Sequence, residues 1–335
     1  MTPIVDRRRP AGAPLAEVRV KRAAYAVGAA LAAILLLALS GAAFGHSPKE
    51  LLALLIGGSV GSPFALQGTL LKSVPLLLTG LSVVLAFRAG VWNIGGEGQF
   101  IVGALAALVA SRYGAVASLL AAMLAGAAWA SLASLMRLWR NAPEVLTTIL
   151  LNFTAIHLLG WCVNGPLREK AAMYPQTDLA AATLPRYGGL ALAVLAAIGA
   201  WWLLYRTREG LRLRATGFNP DAATWAGVNV RAQLVRAMAV SGAVAGLAGG
   251  IELLAVTHRL FERFAAGYGY SGIAVALLAQ LHPLATLASA FFFGALVSGA
   301  GELQRTANIS AAVATFGQAA VILALIGFEH VRRRT

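Results

Sequence analysis

The stretch ALQGTLLKSVPLLLTGLSVVLAFRAGVWNIGGEGQFIVGALAALVAS, residues 65–111, decides how this chain folds. It holds two apolar runs, 65–87 and 92–111, separated by a lone arginine, Arg88. Each run is close to the ~20 residues an α-helix needs to cross a hydrocarbon core about 30 Å thick. The same pattern recurs along the chain, at 23–44, 115–136, 144–162, 187–205, 234–256, 267–281, 283–302 and 306–328. Composition agrees: 59% of the 335 residues are hydrophobic and 12% are charged, against roughly 25% charged in soluble domains. Lipid must be the solvent for much of this surface. The expected fold is all-α, a polytopic transmembrane helix bundle of about ten spanning or partly spanning helices. The run 267–281 is short and ends at His282-Pro283, as a broken or re-entrant segment would.

The net charge of +14 could suggest nucleic acid, but the basic residues sit between apolar runs and at the two ends. Placing both termini in the cytosol puts about twice as many of the 27 Lys and Arg residues inside as outside, the bias that sets membrane topology. The expected organisation is a basic cytosolic segment, 1–22, then a transmembrane domain, 23–330, with a cytosolic loop at about 206–233. Segment 163–186 becomes an outer, turn-rich cap. The run 23–44 exceeds a signal-peptide core of about 7–15 residues and reads as an uncleaved span. The single cysteine, Cys162, cannot form an intrachain disulfide, and the five histidines show no ligand spacing. No metal site and no catalytic constellation is expected. No Gly-Lys pair occurs, so a phosphate-cradling G-x-x-x-x-G-K-[ST] loop is absent. If ATP drives this protein, another polypeptide must hydrolyse it.

Four segments carry chemistry. In RAGVWNIGGEGQFIVGA (88–104), Glu97 would lie roughly 13 Å below Arg88 if the segment is helical, at about 1.5 Å per residue, and so near the membrane midplane. A carboxylate there is costly, and Gly95, Gly96 and Gly98 permit close approach or non-helical backbone. With Asn93 and Gln99 it either lines a solute path or forms a structural knot in which backbone amides or an arginine satisfy Glu97. In NAPEVLTTILLNF (141–153), Asn141 reads as a cap, Pro143 as a first-turn residue and Glu144 as an acid at the dipole end. Asn152 is helix–helix glue or a solute contact. In NPDAATWAG (219–227), Asn219, Pro220, Asp221, Ala222, Trp225, Ala226 and Gly227 spell a complete short helix from cap to terminator. It is too short to stand alone and exposes Trp225, so it docks either on a partner protein or on lipid headgroups. In SGAVAGLAGGIE (241–252), Gly242, Gly246 and Gly250 make a packing stripe, and Glu252 is a second candidate for the path. GGEGQFIVGAL (95–105) and GYGYSGIAVALL (267–278) echo one another, through two related halves or through shared Gly/Ala richness.

Taken in order, RAGVWNIGGEGQFIVGA, PEVLTTILLN (143–152), RATGFNPDAATWAGVNV (214–230), MAVSGAVAGLAGGIELL (238–254) and GYGYSGIAVALLAQLHPLA (267–285) resemble the inner-membrane permeases of ATP-binding-cassette (ABC) importers in the branched-chain amino acid and simple sugar group. The likeness is closest to the nucleoside branch, whose receptor is a basic-membrane-protein-type lipoprotein, and covers about 65–335. It implies a bacterial inner-membrane subunit without its own ATPase site. Its expected partners are an ABC ATPase using ATP and Mg, in this group often a duplicated chain, a second related permease and an extracytoplasmic solute-binding lipoprotein. On this sequence the ATPase-coupling segment falls on Gly217 to Gly227, and the substrate-path candidates on Asn93, Glu97, Gln99, Asn152 and Glu252. Trp92 stands where relatives often carry phenylalanine, an aromatic exchange of little consequence. The solute is expected to be a nucleoside or, alternatively, a simple sugar or related small polar solute. A proton-coupled secondary transporter using Glu97 as a relay is the reading from another class.

Overall fold

The computed structural model describes residue 28 and residues 47–265 and 267–306. The segment 1–22 and the runs 23–44 and 306–328 lie outside the described residues, apart from Gly28 and Thr306, and with them both termini. Among the described residues eleven α-helices follow one another: α1 (Pro48–Val60), α2 (Pro63–Arg88), α3 (Gly96–Ala110), α4 (Ala115–Arg140), α5 (Glu144–Asn164), α6 (Gly188–Arg206), α7 (Arg208–Phe218), α8 (Pro220–Trp225), α9 (Val230–Glu252), α10 (Tyr268–Leu278) and α11 (Ala285–Thr306). Among the described residues no strand forms beyond isolated bridges. Six helices there are long and apolar enough to cross a membrane: α2, α4, α5, α6, α9 with its continuation to Thr257, and α11. Large apolar side chains such as Val116, Leu124, Leu150, Trp161, Leu195 and Trp202 are exposed, as a lipid solvent requires.

The chain divides into two compact units. The first comprises 1–73, 277–280 and 291–335. Its described part contains α1, a helix that no apolar run announces because Lys49, Glu50 and a Gly57-Gly58 pair interrupt it. Ser47 caps α1 by accepting from the Glu50 amide at 3.2 Å. The Thr69 hydroxyl donates to the Ser59 carbonyl at 2.7 Å, and Gly58 and Gly299 let backbone pass close to Glu302 and Leu55.

The second unit comprises 74–276 and 281–290. Its centre is a triplet of helices, α3, α4 and α9. A Cβ on Gly103 would strike the Gly246 backbone, one on Gly126 the Gly242 carbonyl, and one on Gly246 the Ala122 carbonyl. The stripe read from the sequence on 242, 246 and 250 is therefore a packing face. Segment 163–186 is tied down rather than loose: the amides of Thr177, Ala180 and Leu184 donate to the carbonyls of Leu260, His258 and Leu254 at 2.8–3.0 Å. Arg259 pairs with Glu169 at 2.9 Å.

Two local readings are corrected. Residues 89–95 are not helical, so the run expected at 92–111 starts as a helix only at Gly96, and the depth of Glu97 does not follow from counting helical residues from Arg88. Asn141 does not cap the following helix. It ends α4 in the left-handed conformation at φ 54°, and α5 starts at Glu144 with Pro143 in the cap position. Asparagine tolerates that conformation better than most residues, and Arg137 then reaches Glu144 at 2.8 Å across the turn.

Candidate functional site

The break between α2 and α3 organises a buried polar junction. Gly90, at φ 78°, turns the chain out of α2, and residues 91–94 run without helical bonding to the start of α3. Non-helical backbone needs partners for its amides and carbonyls where no water competes, and the side chains singled out in the sequence supply them. The Asn93 side-chain Oδ1 accepts from the Gly95 amide at 2.9 Å and from Gln99 Nε2 at 2.9 Å. Its Nδ2 donates to Gln99 Oε1 at 2.9 Å and to Ser241 Oγ at 2.8 Å. Ser241, on α9, donates to the Ser82 carbonyl of α2 at 2.7 Å. From α5, Asn152 accepts from the Gly98 amide at 2.8 Å and donates to the Ile94 carbonyl at 2.9 Å and the Tyr270 hydroxyl at 3.2 Å. A single amide side chain thus joins α5, the break and α10.

Glu97 completes the junction. It is 4% exposed, and its two carboxylate oxygens accept from the amides of Gly267 and Gly269 at 2.8 and 2.7 Å. These amides open α10, so Glu97 in the first turn of α3 caps another broken helix. A carboxylate suits that place because a helix N-terminus presents unpaired N–H groups and a partial positive charge. The first turns of α3 and α10 meet backbone to backbone: a Cβ on Gly269 would overlap the Glu97 amide, and one on Gly96 would lie 3.4 Å from Gly269 Cα. The two echoing segments of the sequence are these two abutting helix starts. Thr79, on α2, fastens α10 from another side by donating to the Tyr268 carbonyl at 3.0 Å.

Glu252 stands apart. It ends α9, where the helix widens into a π-turn at Leu253–Thr257; such turns concentrate at functional places. The residue is 7% exposed, and among the described residues its carboxylate has no hydrogen-bond or ion-pair partner. The Tyr268 phenol lies within electrostatic reach of both Glu252 and Glu97. The Tyr268 ring also packs on Phe100, whose other neighbour is Phe264. Sequence reading missed Ser82, Ser241 and Tyr270, since one hydroxyl in an apolar run carries no signal of its partner.

The loop 206–233 builds a second site. Thr207 caps α7 by accepting from the Gly210 amide at 3.0 Å. Glu209 on α7 accepts from Gln233 of α9 at 2.9 Å and pairs with Arg212 at 2.6 Å and Arg236 at 3.4 Å. The Gln233 hydrogen bond, then the Arg212 guanidinium, hold its carboxyl below the ordinary carboxylate range. Asn219 caps α8 by accepting from the amides of Asp221 and Ala222, both at 3.1 Å. The short helix ends at Trp225, Ala226 takes the C-cap position, and Gly227 follows at φ 80°. Trp225 is 91% exposed, an unusual cost for the largest apolar side chain.

The family model for the branched-chain amino acid transport system permease component matches residues 65–326. The chain belongs to this family. Its relatives include a glucose ABC transporter permease protein of Haloferax volcanii, 33% identical over 81% of this chain and 78% of that one. A guanosine ABC transporter permease protein of Bacillus subtilis is 30% identical over 86% of this chain and 88% of its own. A nucleoside ABC transporter permease protein of Lactococcus lactis is 28% identical over 85% and 84%. No solved structure matches the chain. This ABC permease is a multi-pass inner-membrane protein and a transport component.

Proposed function

We propose that this permease serves an ATP-driven importer of nucleosides. The observation that carries the reading is that relatives named for guanosine and nucleoside transport align along more than four-fifths of the chain. A simple sugar is the second reading, favoured by the glucose permease relative. Both solute classes present vicinal hydroxyls on a sugar ring.

In this reading the chain forms the translocation path with a second related permease. A solute-binding lipoprotein delivers the solute at the outer face, and an ABC ATPase supplies the work from ATP and Mg. Gly217 to Gly227 is the coupling segment: α8 is fully capped within its own few residues, and Trp225 offers an apolar anchor that water disfavours. Of the five path candidates, Asn93, Glu97, Gln99 and Asn152 support the wall of the path, because their polar atoms are engaged in the junction. Glu252 faces the solute, because its carboxylate has acceptors to spare.

The test is uptake by the complex of permeases, ATPase and receptor in proteoliposomes, with labelled guanosine and labelled glucose in competition. Saturable guanosine uptake resistant to excess glucose is the expected result. Uptake of glucose alone moves the assignment to the sugar reading.

A further inference from the structure

The segment that carries α8 and the break that opens the polar junction meet through bare backbone. Gly217 lies one residue before the end of α7, against the backbone of Arg88, Ala89 and Gly90. A Cβ on Gly217 would collide with the Arg88 carbonyl oxygen and sit 2.8 Å from both the Ala89 carbonyl carbon and the Gly90 nitrogen. Gly90 answers it, with its own Cβ position 3.1 Å from Gly217 Cα. With no side chain on either partner, no rotamer can absorb a shift of one against the other, and close-packed interiors transmit strain.

What lies on each side of this contact gives it meaning. Two residues past Gly217 is Asn219, the cap of α8. Three residues past Gly90 is Asn93, from which hydrogen bonds fan out to Gln99 and Ser241, while Asn152 ties Ile94 of the same break to α5 and Glu97, in the first turn of α3, ties that helix to α10. The other end of α7 is held as well, with Gly210 seated on the Leu203–Leu204 backbone of α6 and Glu209 bonded to α9. A push on α8 therefore meets the broken segment at Gly90 before it meets anything deformable.

We propose that the Gly217–Gly90 contact is the transmission point at which movement of the coupling segment becomes movement of the two broken helices, α3 and α10. The proposal rests on the reading of α8 as the coupling segment given above. Gly217 and Gly90 act as positioning residues and touch neither solute nor nucleotide.

The experiment uses the whole complex in proteoliposomes and reads labelled guanosine moved per ATP hydrolysed. In Gly217→Ala the assembled complex goes on hydrolysing ATP, but guanosine moved per ATP falls by about tenfold, within the usual range of coupling between sites. A merely structural role would reduce the amount of complex, lowering uptake and hydrolysis together and leaving the ratio as in wild type; that result overturns the proposal. Should Gly217→Ala not assemble, hydrogen exchange on the wild-type complex decides. Amides of 89–95 change their exchange on ATP binding if the contact transmits, and an exchange pattern indifferent to nucleotide refutes it. Asp221→Lys separates this from the underlying reading. If that variant retains the ATPase as well as wild type does, the coupling assignment itself fails. If it loses the ATPase while Gly217→Ala keeps a normal ratio, only the transmission contact fails.

Discussion

Glu97 and Glu252 are the same side chain in similarly dry surroundings, and partners alone separate them. Glu97 spends both oxygens on the Gly267 and Gly269 amides. Glu97→Ala leaves the buried Gly269 amide and the part-buried Gly267 amide unpaired, at about 1–3 kcal/mol for a buried donor, and frees the start of α10. A marked fall in melting temperature, followed by tryptophan fluorescence in detergent, is expected, with Glu97→Gln in between because it keeps one acceptor. Glu252→Gln preserves shape and breaks no hydrogen bond, so its melting temperature should match wild type. Its effect should appear in transport. If the carboxylate accepts from vicinal hydroxyls, wild type will favour guanosine over its 2′,3′-dideoxy analogue more strongly than Glu252→Gln does. Receptor selectivity cancels in that double comparison; equal losses on both solutes would remove Glu252 from solute contact. The sequence marked Glu97 as an intramembrane carboxylate and both residues as candidates for the solute path. It could not tell them apart, because the amides that satisfy Glu97 lie 170 and 172 residues away along the chain.

At the scale of elements, legibility followed the range of the determining interactions. The short helix α8 was readable to within one residue, its body expected to reach Ala226 and ending at Trp225, because Asn219, Pro220, Asp221 and Gly227 act within a few positions of themselves. The start of α3 was not, since a glycine-rich break is fixed by Asn152 of α5 and Ser241 of α9 rather than by its own propensities. Asn141 was read on the wrong side of its turn because asparagine serves both as an N-cap and as a left-handed C-terminal residue. Asn219→Ala should cost α8 about 1 kcal/mol, and Trp225→Ala should lower recovery of the ATPase with the permease, read by co-purification, while membrane insertion stays normal. The Glu209 bonds that fasten α7 to α9 have a defined pH sense. The carboxyl is held below its ordinary value of 4.5 in the folded protein, so its contribution is complete at neutral pH and fades only as pH falls through that depressed range. The protection factors of α7 amides, in which the intrinsic pH dependence of exchange cancels, should therefore be unaffected by mild acidification, and Glu209→Gln should lower them at neutral pH.

For the molecule as a whole, the remaining question is what drives it. A proton relay through Glu97 would require a carboxylate able to gain and lose its proton once per cycle. Here a proton on either oxygen would make that oxygen a poorer acceptor of its amide, and so weaken the anchorage of α10. A relay also wants a hydrogen-bonded acceptor, whereas the side chains bonded around the break are the amides of Asn93, Gln99 and Asn152 and the hydroxyls of Ser82, Ser241 and Tyr270, and the Tyr268 phenol, though within electrostatic reach, makes no hydrogen bond to Glu97. An external motor acting on α8 asks nothing of Glu97 except that it hold. Guanosine uptake by the reconstituted complex should therefore survive a protonophore while ATP is present on the α8 side, and should stop when the ATPase is omitted. Uptake by the permease alone, driven by an imposed pH gradient without nucleotide, would contradict this and return Glu97 to the centre of the mechanism.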